Sequence, residues 1–318
     1  MATTRIGANV VRRVVVRALP WIATAAIFAL LLRRVPIGSV LASLAAVDWP
    51  LYLLLMVPYS CAYFLLDSAA LTFAVRRFHA PVRYREILPV RAVTYVLALV
   101  NSSVGQGGLA LWLHRRERVP LLAMAGTVLF LGVLEIVDLI LVSSLGVAVA
   151  GTAIPGLGGV YKVLYGVLGG ALIYFTLLPR LGIARPAPGL LATLGRATFS
   201  DWLVILAFKA VALSMAVAVH WGALALWGMS VPLGVMFANL PLIFLASAVP
   251  LTVAKLGTSQ AAWIFLLGAW APEPGLMAYS LVAHLVFLVL NALIGVAFLP
   301  RAGGEITELL RGRSGGTS

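Results

Sequence analysis

The chain has 318 residues, of which 62% are hydrophobic and only 10% charged, and its mean hydropathy is +1.07. A soluble globular domain carries roughly 25% charged residues, so this composition leaves too little charge to cover a water-facing surface and excludes a soluble enzyme, a disordered protein and a nucleic-acid-binding domain. The formal charge of +13 then reads as basic loops facing anionic lipid, and the chain as an all-α polytopic membrane protein forming a single membrane domain.

A helix needs about 20 apolar residues to cross a hydrocarbon core of roughly 30 Å. Full spans are expected near 15–32, 51–75, 119–143, 161–179, 202–227 and 276–300. The first follows Arg5, Arg12, Arg13 and Arg17 and runs straight into Arg33-Arg34 with no small-residue cleavage site, so it reads as an uncleaved span. Two further apolar stretches are interrupted. Residues 87–113 are broken by Asn101-Ser102-Ser103-Val104-Gly105-Gln106-Gly107-Gly108, and residues 231–270 by Pro250 and by Lys255 to Gln260.

The Lys/Arg bias of short loops gives the orientation. Arg76, Arg77, Arg83 and Arg85 precede the first interrupted stretch and Arg115, Arg116 and Arg118 follow it, so it enters and leaves from the same, cytoplasmic side. Limbs of about 11–13 residues reach only to the midplane at 1.5 Å per residue, which predicts a re-entrant hairpin. Arg180, Arg185 and Arg196, and later Arg301, Arg311 and Arg313, fall on the same side, with both termini inside. The second stretch then opens outward at Pro272-Glu273-Pro274, although its first limb, 231–249, is long enough to cross completely. Arg33 and Arg34 break the rule and are expected to snorkel at the outer interface.

The two hairpins pair in an internal repeat, with halves at 15–143 and 161–300 and a disordered or short polar tail at 301–318. Gly108 before Trp112 corresponds to Gly257 before Trp263, and the offset that lays Met124-Ala125 on Met277-Ala278 sets Asp138 opposite Asn291. Oppositely oriented repeats with broken helices build the substrate sites of many secondary transporters.

Unwound backbone is tolerated at membrane depth only inside protein or beside a wet cavity. Asn101, Ser102, Ser103, Gln106, Gly107 and Gly108 therefore read either as the lining of a cavity for an anionic group such as a lipid phosphate, or as a kink satisfied by neighbouring helices. Lys255, Ser259 and Gln260 add a cation and hydrogen-bonding groups, with Lys255 and Arg91 expected to neutralise the phosphate and Lys255 equally readable as an interfacial residue. Glu135 and Asp138 share one face of a span and suit a proton relay or the counter-charge for a cationic headgroup. They also suit an ion pair with Lys209 or Arg91, and Asp67 is a further candidate partner for Arg91. His220 and His284 read as helix contacts. The lone Cys61, the scattered histidines and the lack of His-Glu-x-x-His, phosphate-loop or Gly-x-Ser-x-Gly motifs give no expectation of a metal, a cofactor or ATP hydrolysis, so no enzyme is expected.

The order of these features resembles the flippase-like membrane domain of lysylphosphatidylglycerol synthases. It comprises a basic loop, a polar Gly-rich break, Arg115-Arg116, a span with Glu135 and Asp138, and a Pro/Gly break (Pro250, Gly257) before the last span. The resemblance covers about residues 15–300. Where the family places Gly-Glu in the first break, this chain has Gly107-Gly108-Leu109, and too few residues follow Pro300 in this sequence for an aminoacyl-transferase domain. The resemblance thus implies a lipid transporter of the bacterial inner membrane, with membrane lipids as partners. A second copy of the chain, or a membrane-protein partner for which it would serve as an accessory scaffold, stays open.

Overall fold

A computed structural model describes residues 21–22, 24–100, 102–150, 158–177, 180–182, 189–248 and 256–311. Within these, the side chains of 98–100, 102–104, 106, 160, 164, 171, 172, 175, 176 and 301–311 are not described. The described residues are helical and contain no strand. Four helices are long and apolar enough to cross a bilayer: α3 (Trp49–Phe78), α6 (Leu121–Ala150), α9 (Phe199–Leu226) and the Glu273–Pro300 part of α12 (Glu273–Arg311). The protein is a polytopic helical membrane protein.

The remaining elements differ from simple spans in instructive ways. The stretch expected to cross at 15–32 is described only in part. Its helix α1 (Thr24–Arg34) bends by 83° into α2 (Ile37–Ala45). Pro36 sits at the bend in an extended conformation, and its missing N–H and fixed φ end one helix and start the next. The segment expected at 161–179 is α7 (Gly158–Leu172) running into a π-helical turn, Ile173–Leu177. Residues 301–311, expected as the start of a polar tail, continue α12 as helix past Pro300, since Glu305 to Arg311 is a run of good helix formers.

The interrupted stretch 87–113 folds as α4 (Tyr84–Val100) and α5 (Ser102–Glu117). Only Asn101, outside the described residues, separates them, so the expected unwound run from Ser102 to Gly108 is instead the first two turns of α5. The two limbs lie back to back. Glu86 near the start of α4 pairs with Arg116 near the end of α5 at 3.1 Å, and Ile87 and Val90 share a core with Leu109, Ala110 and Leu113. Backbone that leaves a helix at this depth loses hydrogen bonds that nothing apolar replaces, so the polar Ser and Gly residues stay helical despite their weak propensity. The second interrupted stretch gives α10 (Leu233–Ala248) and α11 (Thr258–Leu267), with 249–255 between them outside the described residues.

Specific contacts gather the helix ends at two opposite poles. At one pole Arg77 Nε donates to Asp201 Oδ1 at 2.6 Å, tying the end of α3 to the start of α9. His79 Nε2 meets Thr127 Oγ1, which in turn meets Thr193 of the short α8 (Ala192–Arg196). Burial, with Arg196 nearby, holds the His79 imidazole below its ordinary pKa. The hairpin of α4 and α5 opens here. At the other pole Arg34 pairs with Glu273, and Trp227 at the end of α9 packs edge-on against Trp49, Tyr52 and Tyr279. The hairpin of α10 and α11 opens at this second pole. Between the poles α10 lies along α6, and α4 along α12. Glycines allow this close approach: Gly146 lies against the backbone of Phe237 and Ala238, and Gly295 against that of Ala92.

A capping box starts α9. Thr198 Oγ1 accepts from the Asp201 N–H, and Asp201 Oδ2 accepts from the Thr198 N–H at 2.9 Å. Thr198→Ala removes one half of this arrangement and is expected to cost about 1 kcal/mol, read as a lowered unfolding midpoint of the detergent-solubilised protein. Asp201→Asn is expected to cost more, because it also loosens Arg77.

Candidate site: a charged cavity at mid-depth

A cavity of about 280 Å³ lies where α3, α6, α9, α10, α11 and α12 meet. Its walls are largely aromatic and aliphatic, with Tyr59, Phe208, Phe244 and Phe287 among them, and its polar groups come from different helices. The volume lies just below the roughly 300–1,000 Å³ of small-molecule sites, enough for a headgroup and too small for acyl chains.

Its charges sit deep in the bundle. Glu135 is the fifteenth of the thirty residues of α6, about 21 Å from either end at 1.5 Å per residue. Lys209 of α9 forms an ion pair with it, one of the two partners weighed from the sequence. Their exposures are unequal: the Lys209 side chain is 10% exposed and that of Glu135 42%, so the carboxylate reaches open space while the ammonium is held among helices. Asp67 of α3 lines the same cavity and pairs with Arg91 of α4. Tyr95 Oη donates to Asp67 Oδ2 at 3.1 Å, and the Arg91 guanidinium lies 5.2 Å from the Tyr95 ring centre. Asp138, one turn beyond Glu135 on α6, is 3% exposed and lies within Coulombic reach of Glu135 and Lys209.

The other wall is polar without charge. Ser247 of α10, Ser259 of α11 and Ser280 of α12 line the cavity with His220 and His284. His220 Nδ1 meets Tyr279 Oη at 2.6 Å, and its ring packs edge-on against Tyr59 and Phe244. This is the helix contact expected of a lone histidine in a span, with a face on the cavity besides. Gly257 starts α11 at φ +90°, a conformation that favours glycine, and Gln260 Oε1 accepts the Gly257 N–H at 2.7 Å.

The residues singled out from the sequence therefore separate into groups. Asp67, Glu135 and Ser259 line the cavity; Arg91 adjoins it through Asp67, and Asp138 through its place one turn from Glu135. Gln260 is fully buried and its oxygen is spent on Gly257. Gly107 is exposed, and Gly108 packs on Leu97 of the facing limb; neither lines this cavity. Asn101 and Lys255 lie outside the described residues, as do the side chains of Ser102, Ser103 and Gln106. Tyr59, Tyr63, Ser247 and Ser280 were missed; helices apolar all round give no periodic signal for which face is inward. Among the described residues no three His, Cys, Asp or Glu side chains converge on a metal position. No protein-family model matches this chain, nor does any curated protein or solved structure.

Proposed function

We propose that the chain is a lipid transporter of the flippase or scramblase type, moving a lipid with an anionic headgroup between the leaflets of a bacterial inner membrane. The observation that carries this reading is the Lys209 ammonium, paired with Glu135 at mid-depth and set in a cavity of headgroup size with amphipathic walls. Ionisable groups inside a bilayer are costly and mark substrate or ion paths. A phosphate entering the cavity competes with Glu135 for Lys209, while Ser259 offers a hydroxyl donor; the hydroxyls of Ser247 and Ser280 donate to the Ile243 and Met277 carbonyls and must turn from them to reach it. The exposure of Glu135 makes that exchange inexpensive, because its carboxylate is already partly open to solvent.

The reading extends to an inverted repeat. We take α3–α6 and α9–α12 as two halves, each a span, a hairpin and a closing span, with α1 and α7 completing six crossings. The hairpins open at opposite poles, and the first limb of each packs on the closing helix of the other half, a crossed packing in keeping with the oppositely oriented repeats of secondary transporters. The cavity lies between these halves. The cytoplasmic face is the arginine-rich pole, and the resemblance to the synthase membrane domain points the same way.

Leaflet exchange of fluorescently tagged phosphatidylglycerol in reconstituted vesicles tests the reading. Lys209→Met is expected to slow exchange about tenfold or more, since a hydrogen bond to a charged group contributes about 1.5–3 kcal/mol. Exchange indistinguishable from protein-free vesicles across phosphatidylglycerol, phosphatidylethanolamine and polyprenyl phosphates would refute it. The second reading, an accessory subunit for an envelope-modifying enzyme, is favoured by the exposed Arg76, Arg83, Arg85, Arg115 and Arg118 at one pole. It predicts that Lys209→Met is silent and that loss of those arginines abolishes complex formation.

A further inference from the structure

We propose that Asp138 is the seat of a coupling proton: the cavity admits an anionic headgroup when the Asp138 carboxyl carries a proton and repels it when Asp138 is ionised. The proposal rests on the transporter reading of the same cavity and adds the co-transported ion. Its basis is a charge imbalance. Around the cavity the described residues supply three carboxylates, Asp67, Glu135 and Asp138, against two cations, Arg91 and Lys209. Arg91 is committed to Asp67 and Lys209 to Glu135, which leaves Asp138 without an ion pair among the described residues although it is 3% exposed. A buried charge without a partner is unstable and is neutralised.

The ion that neutralises it is a proton. A metal cation needs several oxygens arranged around it, and no three acidic or His side chains converge among the described residues. The groups that face Asp138 are few. Glu135 comes from its own helix and Lys209 from α9. The cavity that adjoins Asp138 is shared by Asp67, Tyr59 and Tyr63 from α3, His220 from α9 and His284 from α12. Helix α10, packed along α6, carries no ionisable side chain in Leu233–Ala248. On α7, Tyr161 and Tyr165 bond to Ser143 and Ser144, more than a turn away, while Arg196 of α8 and the His114 to Glu117 end of α5 lie at the basic pole.

Lys209 is the moving part. Glu135 and Asp138 are three residues apart on one helix face, and a lysine stem is flexible enough to serve either. With Lys209 on Glu135 and Asp138 protonated, the cluster is neutral. When Lys209 swings to Asp138, the carboxyl O–H bond breaks, the proton passes to cavity water and the pair Lys209–Asp138 forms. Glu135 is then free and the cluster carries one net negative charge, which repels a phosphate. Anion and proton thus bind together and leave together.

The test uses the full chain in phosphatidylcholine vesicles with tagged phosphatidylglycerol as probe, at matched internal and external pH. Wild-type exchange is expected to accelerate on acidification, with a slope approaching tenfold per pH unit, the limit for one proton. Asp138→Asn, fixed neutral, should exchange fast at every pH, and Glu135→Gln, which leaves Lys209 to Asp138 alone, should move the pH dependence towards lower pH without abolishing it. An Asp138→Asn protein with wild-type pH dependence, or a dependence abolished by His284→Gln instead, overturns the proposal. Infrared pH-difference spectra of the same vesicles provide a readout independent of transport, in which a protonated-carboxyl band should vanish in Asp138→Asn. Exchange without that band would sink the proton site and leave the transporter standing; the band without exchange would do the reverse. If Asp138→Asn fails to fold, absence of any carboxyl band in wild type overturns the proposal alone.

Discussion

Replacing Arg91 by methionine is expected to destabilise the protein by about 3–5 kcal/mol, the cost of leaving one member of a buried ion pair without its partner. The two side chains are 14% and 16% exposed, so little solvation is left to either once its partner is gone. The double change Asp67→Asn with Arg91→Met should recover most of the loss, because a neutral amide beside Tyr95 keeps a hydrogen bond that a lone carboxylate cannot turn into stability. Thermal unfolding of the detergent-solubilised single and double variants measures both. A single-variant loss below about 1 kcal/mol, the range of exposed pairs, would mean that water reaches Asp67 and that the cavity is wetter than its walls suggest. The corresponding loss for Lys209→Met is expected to be smaller, since the Glu135 it abandons is 42% exposed.

The contrast between these two pairs shows what a sequence of this kind discloses. Charges inside apolar runs are conspicuous, and the energetics of the bilayer require each to find a partner, so Asp67 with Arg91 and Glu135 with Lys209 were among the few pairings available before any coordinates. The four long helices were legible for the same reason: length and apolarity are set by membrane thickness, and the structure moves their ends by one to seven residues, except that the last helix runs eleven residues further, to Arg311. The hairpin at 87–113 was legible from arginines on both flanks.

Composition misled where it stood in for conformation. Ser, Gly and Asn clustered from 101 to 108 read as unwound chain, yet the helix resumes at Ser102, because inside a membrane the backbone hydrogen bond outweighs propensity. The cavity wall was hidden for a different reason. Ser247, Ser280 and Tyr63 stand in helices whose every face is apolar, so inward and lipid-facing positions look alike until the neighbours are placed. The bend at Pro36 was readable in principle, since proline both lacks the donor and biases the residue before it.

The packing seams give the second large expected effect. An alanine methyl at Gly146 would stand 2.3 Å from the Ala238 nitrogen and 2.4 Å from the Phe237 carbonyl carbon. These are backbone atoms that cannot rotate away, so α6 and α10 must separate along their contact. Gly146→Ala is expected to cost about 3 kcal/mol or more, the upper part of the range for overpacking. Gly132→Ala on the same helix meets nothing within 4 Å and should instead stabilise by about 0.5–1 kcal/mol, the usual helical advantage of alanine over glycine. The opposite signs, read from unfolding midpoints of the two variants, remove any general effect of alanine in α6. Gly295→Ala meets the Ala92 carbonyl oxygen at 2.7 Å and the movable Val96 Cγ2 at 2.4 Å, so its loss should be real but smaller. In the proposed two halves these glycines occupy equivalent seams, each where one half's hairpin lies on the other half's closing helix. A loss at Gly146 with none at Gly295 would therefore mean that a single seam holds the bundle together and that the two halves are not mechanically equivalent.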